Sequence, residues 1–202
     1  MTKSKIQIQR MVVTAILAAI VAVLQLVAGS IRVGPFTFTL SLVPIIIGAI
    51  LYGPWTGALL GAVFGAVVCG MVVSGIDAGG FLMFQQKPFL TLFICLLKST
   101  VAGLVAGLIS KALAENRLKL GTVLAAILCP VCNTGILSIA VLAFYRELAG
   151  QWALAAGQSS VLAYVILVMV GLNFLIELAV DLILVPVILR IIEAVKKNRA
   201  LS

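Results

Sequence analysis

The sequence predicts an all-α membrane protein, a bundle of six transmembrane helices with the N-terminus and C-terminus both cytoplasmic. Three observations predict it. The chain of 202 residues is 63% hydrophobic and only 10% charged, with a mean hydropathy of +1.30, far from the composition of water-soluble domains. Its apolar runs repeatedly reach the roughly 20 residues that cross a bilayer as a helix. Ten of its fourteen Lys and Arg fall in three clusters flanking those runs: Lys3, Lys5 and Arg10; Lys111, Arg117 and Lys119; and Arg190, Lys196, Lys197 and Arg199. That is the positive-inside pattern, so the net charge of +8 reads as membrane orientation rather than as affinity for nucleic acid. Little chain is left for a soluble domain, and residues 1–202 are expected to form one integral-membrane domain. The first apolar run extends well past a signal-peptide core and is read as a retained helix.

Helix 1 is expected over about 8–28. Its alanines at 15, 18, 19 and 22 give two overlapping small-xxx-small pairs, a face that lets another helix approach closely. Either a neighbour in the same bundle or another subunit would use it. Residues 30–39, containing Arg32, Gly34, Pro35, Phe36 and Phe38, form an outer loop in which the alternating phenylalanines point to a short extended segment. Helix 2, about 40–52, is short for a crossing and contains Pro44, which predicts a bend or help from neighbours. Gly53-Pro54 is a tight turn with Pro54 in the first-turn position of helix 3. Helix 3 then repeats glycine at 53, 57, 61 and 65, a flat ridge for close packing.

Residues 74–87 are expected as a second outer loop, followed by helix 4 from Pro88 to about 113 with Lys98 at its middle. Lys98-Ser99-Thr100 lacks the upstream glycines of a phosphate loop and lies mid-helix, which rejects nucleotide binding. Helix 5, about 120–145, carries Pro130, Asn133, Thr134 and Gly135 at its centre, where a helix breaker frees backbone groups that neighbours, water or a ligand must satisfy. Residues 146–159 form a third outer loop, and helix 6 completes the set. The cysteines at 69, 95, 129 and 132 sit in apolar runs and read as small hydrophobes. Cys129-Pro-Val-Cys132 invites a metal or redox reading, but the chain has no histidine and a closed zinc site would need all four thiolates inside the membrane.

Helix 6 holds the chemistry. Asn173, Glu177 and Asp181 recur at i, i+4 and i+8, a polar stripe in an otherwise apolar helix. A carboxylate persists in hydrocarbon only when it faces a bundle interior, a partner charge or water. Counting at 1.5 Å per residue, Lys98 lies about 20 Å above Lys111, Asn133 about 21 Å above Lys119 and Glu177 about 20 Å above Arg190. A cation, an amide and a carboxylate therefore share one level. Two outcomes are open: Lys98 and Glu177 neutralise each other between helices 4 and 6, or they border a polar cavity for a small solute. Buried ion pairs stabilise less than apolar packing of similar size, which favours the cavity.

The Gly-Pro turn followed by Trp55-Thr-Gly-Ala-Leu-Leu-Gly, the run from Pro130 to Gly135, and Asn173-Phe-Leu-Ile-Glu177 carry a family likeness over nearly the whole chain. The sequence resembles the substrate-binding S components of energy-coupling-factor (ECF) vitamin transporters, with the pattern of helices 5 and 6 most similar to the pantothenate-type branch. The resemblance implies a non-enzymatic plasma-membrane subunit, without cofactor or metal, that captures a vitamin between helices 4 to 6 and the outer loops. It implies docking of a membrane coupling (T) subunit on Ala15, Ala18, Ala19 and Ala22, and ATP hydrolysis by two cytosolic ATPases. It implies substrate contacts among Arg32, Phe36, Phe38, Gln85, Lys98, Asn133, Tyr164, Asn173 and Glu177. S components for riboflavin or folate are close rivals, although only 7% aromatic residues favour a smaller ligand. A rival of another class is a stand-alone proton-coupled carrier using Glu177 and Asp181. A membrane enzyme has little machinery here.

Overall fold

A computed structural model describes residues 3–28, 32–33, 36–37, 39–113 and 117–201. Helix α1 spans Lys3–Ala28, and among the described residues four helical stretches are long and apolar enough to cross a membrane: Gln7–Val27, Pro54–Val73, Pro88–Leu113 and Leu118–Phe144. After α1 comes a two-residue hairpin, β1 (Arg32–Val33) with β2 (Phe36–Thr37), antiparallel with Arg32 opposite Thr37 and Val33 opposite Phe36. The extended segment expected at Phe36 is therefore present, while Phe38 lies outside the described residues, as do the side chains of Arg32 and Phe36.

Helix α2 (Leu42–Tyr52) is short and buried, touching α1, α3 (Pro54–Val73), α5 (Pro88–Leu113), α6 (Leu118–Phe144) and α9 (Gly171–Leu201). Its Pro44 falls in the first turn, where an N–H has no intrahelical acceptor to lose. Gly53 has a φ of 90°, a left-handed conformation open to glycine, and its N–H donates to the Ala49 carbonyl at 2.9 Å before Pro54 opens α3.

The glycine ridge of α3 packs on α5 at backbone contact. A Cβ on Gly57 would overlap the Gly103 carbonyl, and one on Gly61 the Ser99 carbonyl. At the far end of the same seam Gly107 of α5 abuts Pro54, while Arg10 of α1 donates to Thr56 Oγ1 at 2.8 Å. Arg10 and the neighbourhood of Lys111 thus lie at the same end of the bundle.

Both segments expected as loops after α3 and α6 contain helices. Asp77 caps α4 (Ala78–Gln86), its carboxylate accepting from Gly80 N–H at 2.9 Å, an N-cap that supplies the acceptor a first turn lacks. Helix α7 (Arg146–Ala155) buries Leu148, Ala149 and Ala153 against Tyr145 and Tyr164 in a second apolar cluster. Pro130 does not end the helix that holds it: α6 runs on through it. The last segment is one continuous helical run over 161–201 whose winding changes along it: α8 (Val161–Tyr164), a π-helical stretch Val165–Val170 and then α9 (Gly171–Leu201). The main core joins α1, α2, α3, α5, α6 and α9 through residues such as Val21, Ile45, Leu60, Ala126 and Ile188.

Candidate functional site

A polar cavity opens where α3, α4, α5, α6 and α9 converge, with a free volume of about 50 Å³. Its charged side chains are Lys98, Glu177 and Asp77, the last engaged as the cap of α4. Lys98 of α5 enters from the seam that the α3 glycines create, and its Nζ donates to Asn133 Oδ1 of α6 at 3.3 Å while standing 5.7 Å from the Phe64 ring centroid, within cation–π range. Glu177 of α9 accepts at Oε2 from Thr134 Oγ1 at 3.3 Å. Consecutive residues of α6 therefore hold opposite charges, the amide taking the ammonium and the hydroxyl taking the carboxylate. Lys98 and Glu177 are buried, at 8% and 5% exposure. Among the described residues they do not approach within the 4.0 Å of an ion pair. Of the two outcomes left open by the sequence, direct neutralisation is not what the structure shows.

The sequence-stated candidates divide by place. Lys98, Asn133 and Glu177 line the cavity together. Gln85 is exposed on α4, and Tyr164 is buried in the second apolar cluster away from the cavity lining. The side chains of Arg32, Phe36 and Asn173, and the whole of Phe38, lie outside the described residues. Sequence reasoning marked Thr134 only as part of the run around Pro130 and missed Thr39, Gln25, Thr91 and Asp77 in the lining. Gln25 had a signal, being a lone amide in the apolar run of α1; it accepts at Oε1 from Ser41 Oγ at 3.1 Å. Asp181, one turn beyond Glu177, is 3% exposed, and its Oδ2 has no hydrogen-bond partner among the described residues.

On the flank of the bundle, Ala15 and Ala19 are exposed and Ala18 and Ala22 half-buried. Ala15 and Ala18 line an open, mostly apolar groove of about 480 Å³ between α1 and α3, with Trp55, Leu59 and Val63 opposite. Among the described residues no group of three or more His, Cys, Asp or Glu is placed to hold a metal ion.

A family profile described as "ECF transporter, substrate-specific component" matches residues 9–189. The chain belongs to that family. It is therefore a substrate-specific subunit of an ECF transporter, a multi-pass membrane protein rather than an enzyme. No curated protein and no solved structure matches it. The S component's matched region takes in every wall of the cavity, from Gln25 to Glu177.

Proposed function

We propose that this S component captures a vitamin or related micronutrient in the cavity between α5, α6 and α9, and that pantothenate is the ligand its chemistry suits. The observation that carries this reading is the unpaired arrangement of Lys98 and Glu177 around one void. A carboxylate ligand takes charge-assisted hydrogen bonds from the Lys98 ammonium, and hydroxyl or amide donors at its other end reach Glu177. Phe64 is the one aromatic ring in the described lining, which suits a non-planar ligand better than a flavin or a pterin. The free volume is well below the roughly 300–1,000 Å³ of sites that enclose small molecules, so admission requires the wall to move outward.

In this reading the chain makes six crossings with both termini cytoplasmic, residues 1–202 act as one domain, a T subunit docks on the α1 alanines, and two cytosolic ATPases supply the energy at the plasma membrane. Native mass spectrometry of the detergent-purified chain tests it: pantothenate is expected to leave the protein as a bound mass. A different vitamin would displace the ligand assignment, and an empty chain that also fails to bind added vitamins would displace the receptor reading.

The unpartnered Asp181 oxygen beside Glu177 favours one other reading, a proton-coupled carrier. Proteoliposomes holding the chain alone, under a pH gradient, distinguish them. Uptake without ATPases would support the carrier, and no uptake the S component.

A further inference from the structure

Beside the cavity, on the α3–α5 seam, lie two thiols for which solute capture has no use, Cys95 in the lining and Cys69 behind it. Cys69 stands on α3 one turn beyond Gly65, and Cys95 on α5. At Gly65 the two helices approach so closely that an added Cβ would meet the Cys95 carbonyl oxygen at 2.9 Å, and Cys69 extends that face by four residues. Its Sγ lies 3.6 Å from the carbonyl oxygen of Leu92, three residues before Cys95. A helical side chain leans back over the turn N-terminal to its own Cα, so Cys95 covers the spot that this carbonyl marks. The two side chains accordingly face one another across the α3–α5 seam. Both thiols are free, Cys69 half-buried and Cys95 buried but lining the cavity.

We propose that Cys69 and Cys95 are an oxidisable pair that closes to a disulfide, cross-linking α3 to α5 beside the cavity, when a small-molecule disulfide reaches them. The Cys69 thiolate, the more accessible, attacks one sulfur of the reagent; that S–S bond breaks, one reagent thiol leaves, and a mixed disulfide remains on Cys69. The Cys95 thiolate then attacks the Cys69 sulfur, the Cys69–Cys95 bond forms and the second reagent thiol departs. The protein loses two electrons and two protons, and the reagent disulfide is reduced to two thiols. Their placement across one close-packed seam makes the second step intramolecular, which favours closure over a second addition. The inference is independent of the ligand's identity.

The test uses the full chain, purified in detergent under reducing conditions, freed of reductant and treated with 4,4′-dithiodipyridine. Peptide mapping by mass spectrometry is expected to find the Cys69 and Cys95 peptides joined, neither carrying reagent, and dithiothreitol is expected to separate them. Cys95→Ser is expected to leave one reagent adduct on Cys69, whereas replacing Cys129 and Cys132 by alanine is expected to leave the link intact. Wild-type protein carrying adducts on Cys69 with no joined peptide would overturn the proposal. So would a Cys69 that does not react, or one joined to Cys129 or Cys132 instead.

Discussion

At the scale of single residues, the proposed capture of a carboxylate ligand rests on Asn133 holding Lys98 and Thr134 holding Glu177. Hydrogen bonds to charged groups contribute about 1.5–3 kcal/mol, so Lys98→Met is expected to weaken pantothenate binding by roughly 10- to 100-fold. Calorimetry on the purified chain measures this, and pantothenol, which lacks the carboxylate, should lose little affinity in the same variant. Asn133→Leu removes the one described side-chain acceptor of the Lys98 amine. Leaving that buried charge unsatisfied is expected to cost about 1–3 kcal/mol or more, read as a lowered melting midpoint that Lys98→Met in the same chain largely restores.

The two charges and the amide were legible in the sequence because ionisable groups at mid-membrane depth demand a reason for being there. The hydroxyls were not. Thr91, Ser99 and Ser138 each donate to the carbonyl four residues earlier, as hydroxyls in any helix can. Their spacing alone does not show which hydroxyl reaches beyond its own helix, as Thr134 does to Glu177 and Thr91 to the Tyr145 hydroxyl. Gln85 and Tyr164 show the reverse difficulty: a polar residue near a helix end looks the same in sequence whether it faces solvent, a cavity or an apolar cluster.

At the scale of elements, the α3–α5 seam is the most specific feature, and it was read correctly as packing from the glycine spacing alone. Gly61→Ala is expected to destabilise the bundle by about 1–3 kcal/mol or more, since the new methyl group must displace the Ser99 backbone rather than a flexible side chain. Gly70, on the same helix, has nothing within 4 Å of an added Cβ. Gly70→Ala should be neutral or stabilising by up to about 1 kcal/mol, and thermal melts of the two variants in one detergent check the contrast. Helices α4 and α7 escaped sequence reading because glycines or charged and amide residues crowd their short lengths, while Asp77 as a cap and the apolar face of Leu148, Ala149 and Ala153 were the available signals. The π-helical stretch above Glu177 left no signal in its six apolar residues. Such stretches recur at functional sites, and this one sits directly before the Asn173 to Asp181 stripe.

At the scale of the whole molecule, α1 lies on the flank of the bundle with much of its surface uncovered by other helices. Helix α1 contributes little to the interior apart from residues such as Leu17, Val21 and Gln25, and its alanine face borders the groove opposite Trp55. If a coupling subunit docks there, Ala15→Trp with Ala19→Trp is expected to abolish co-purification of the T subunit and ATPases from a strain that carries them. Pantothenate affinity should stay within about twofold, because neither residue lines the cavity. Loss of both properties together would place the fault in folding instead.

Because α3 and α5 touch backbone to backbone, neither can slide or tilt against the other without a collision of main chains. They form a fixed plate, and Lys98 is mounted on it. Glu177 belongs to a helix preceded by irregular winding, whose main neighbours among the described residues are α2 and α6 rather than the plate itself. A swelling of the chamber that moves α9 away from this plate would carry Glu177 away from Lys98, so the charge separation across the chamber would grow on opening and shrink on closing.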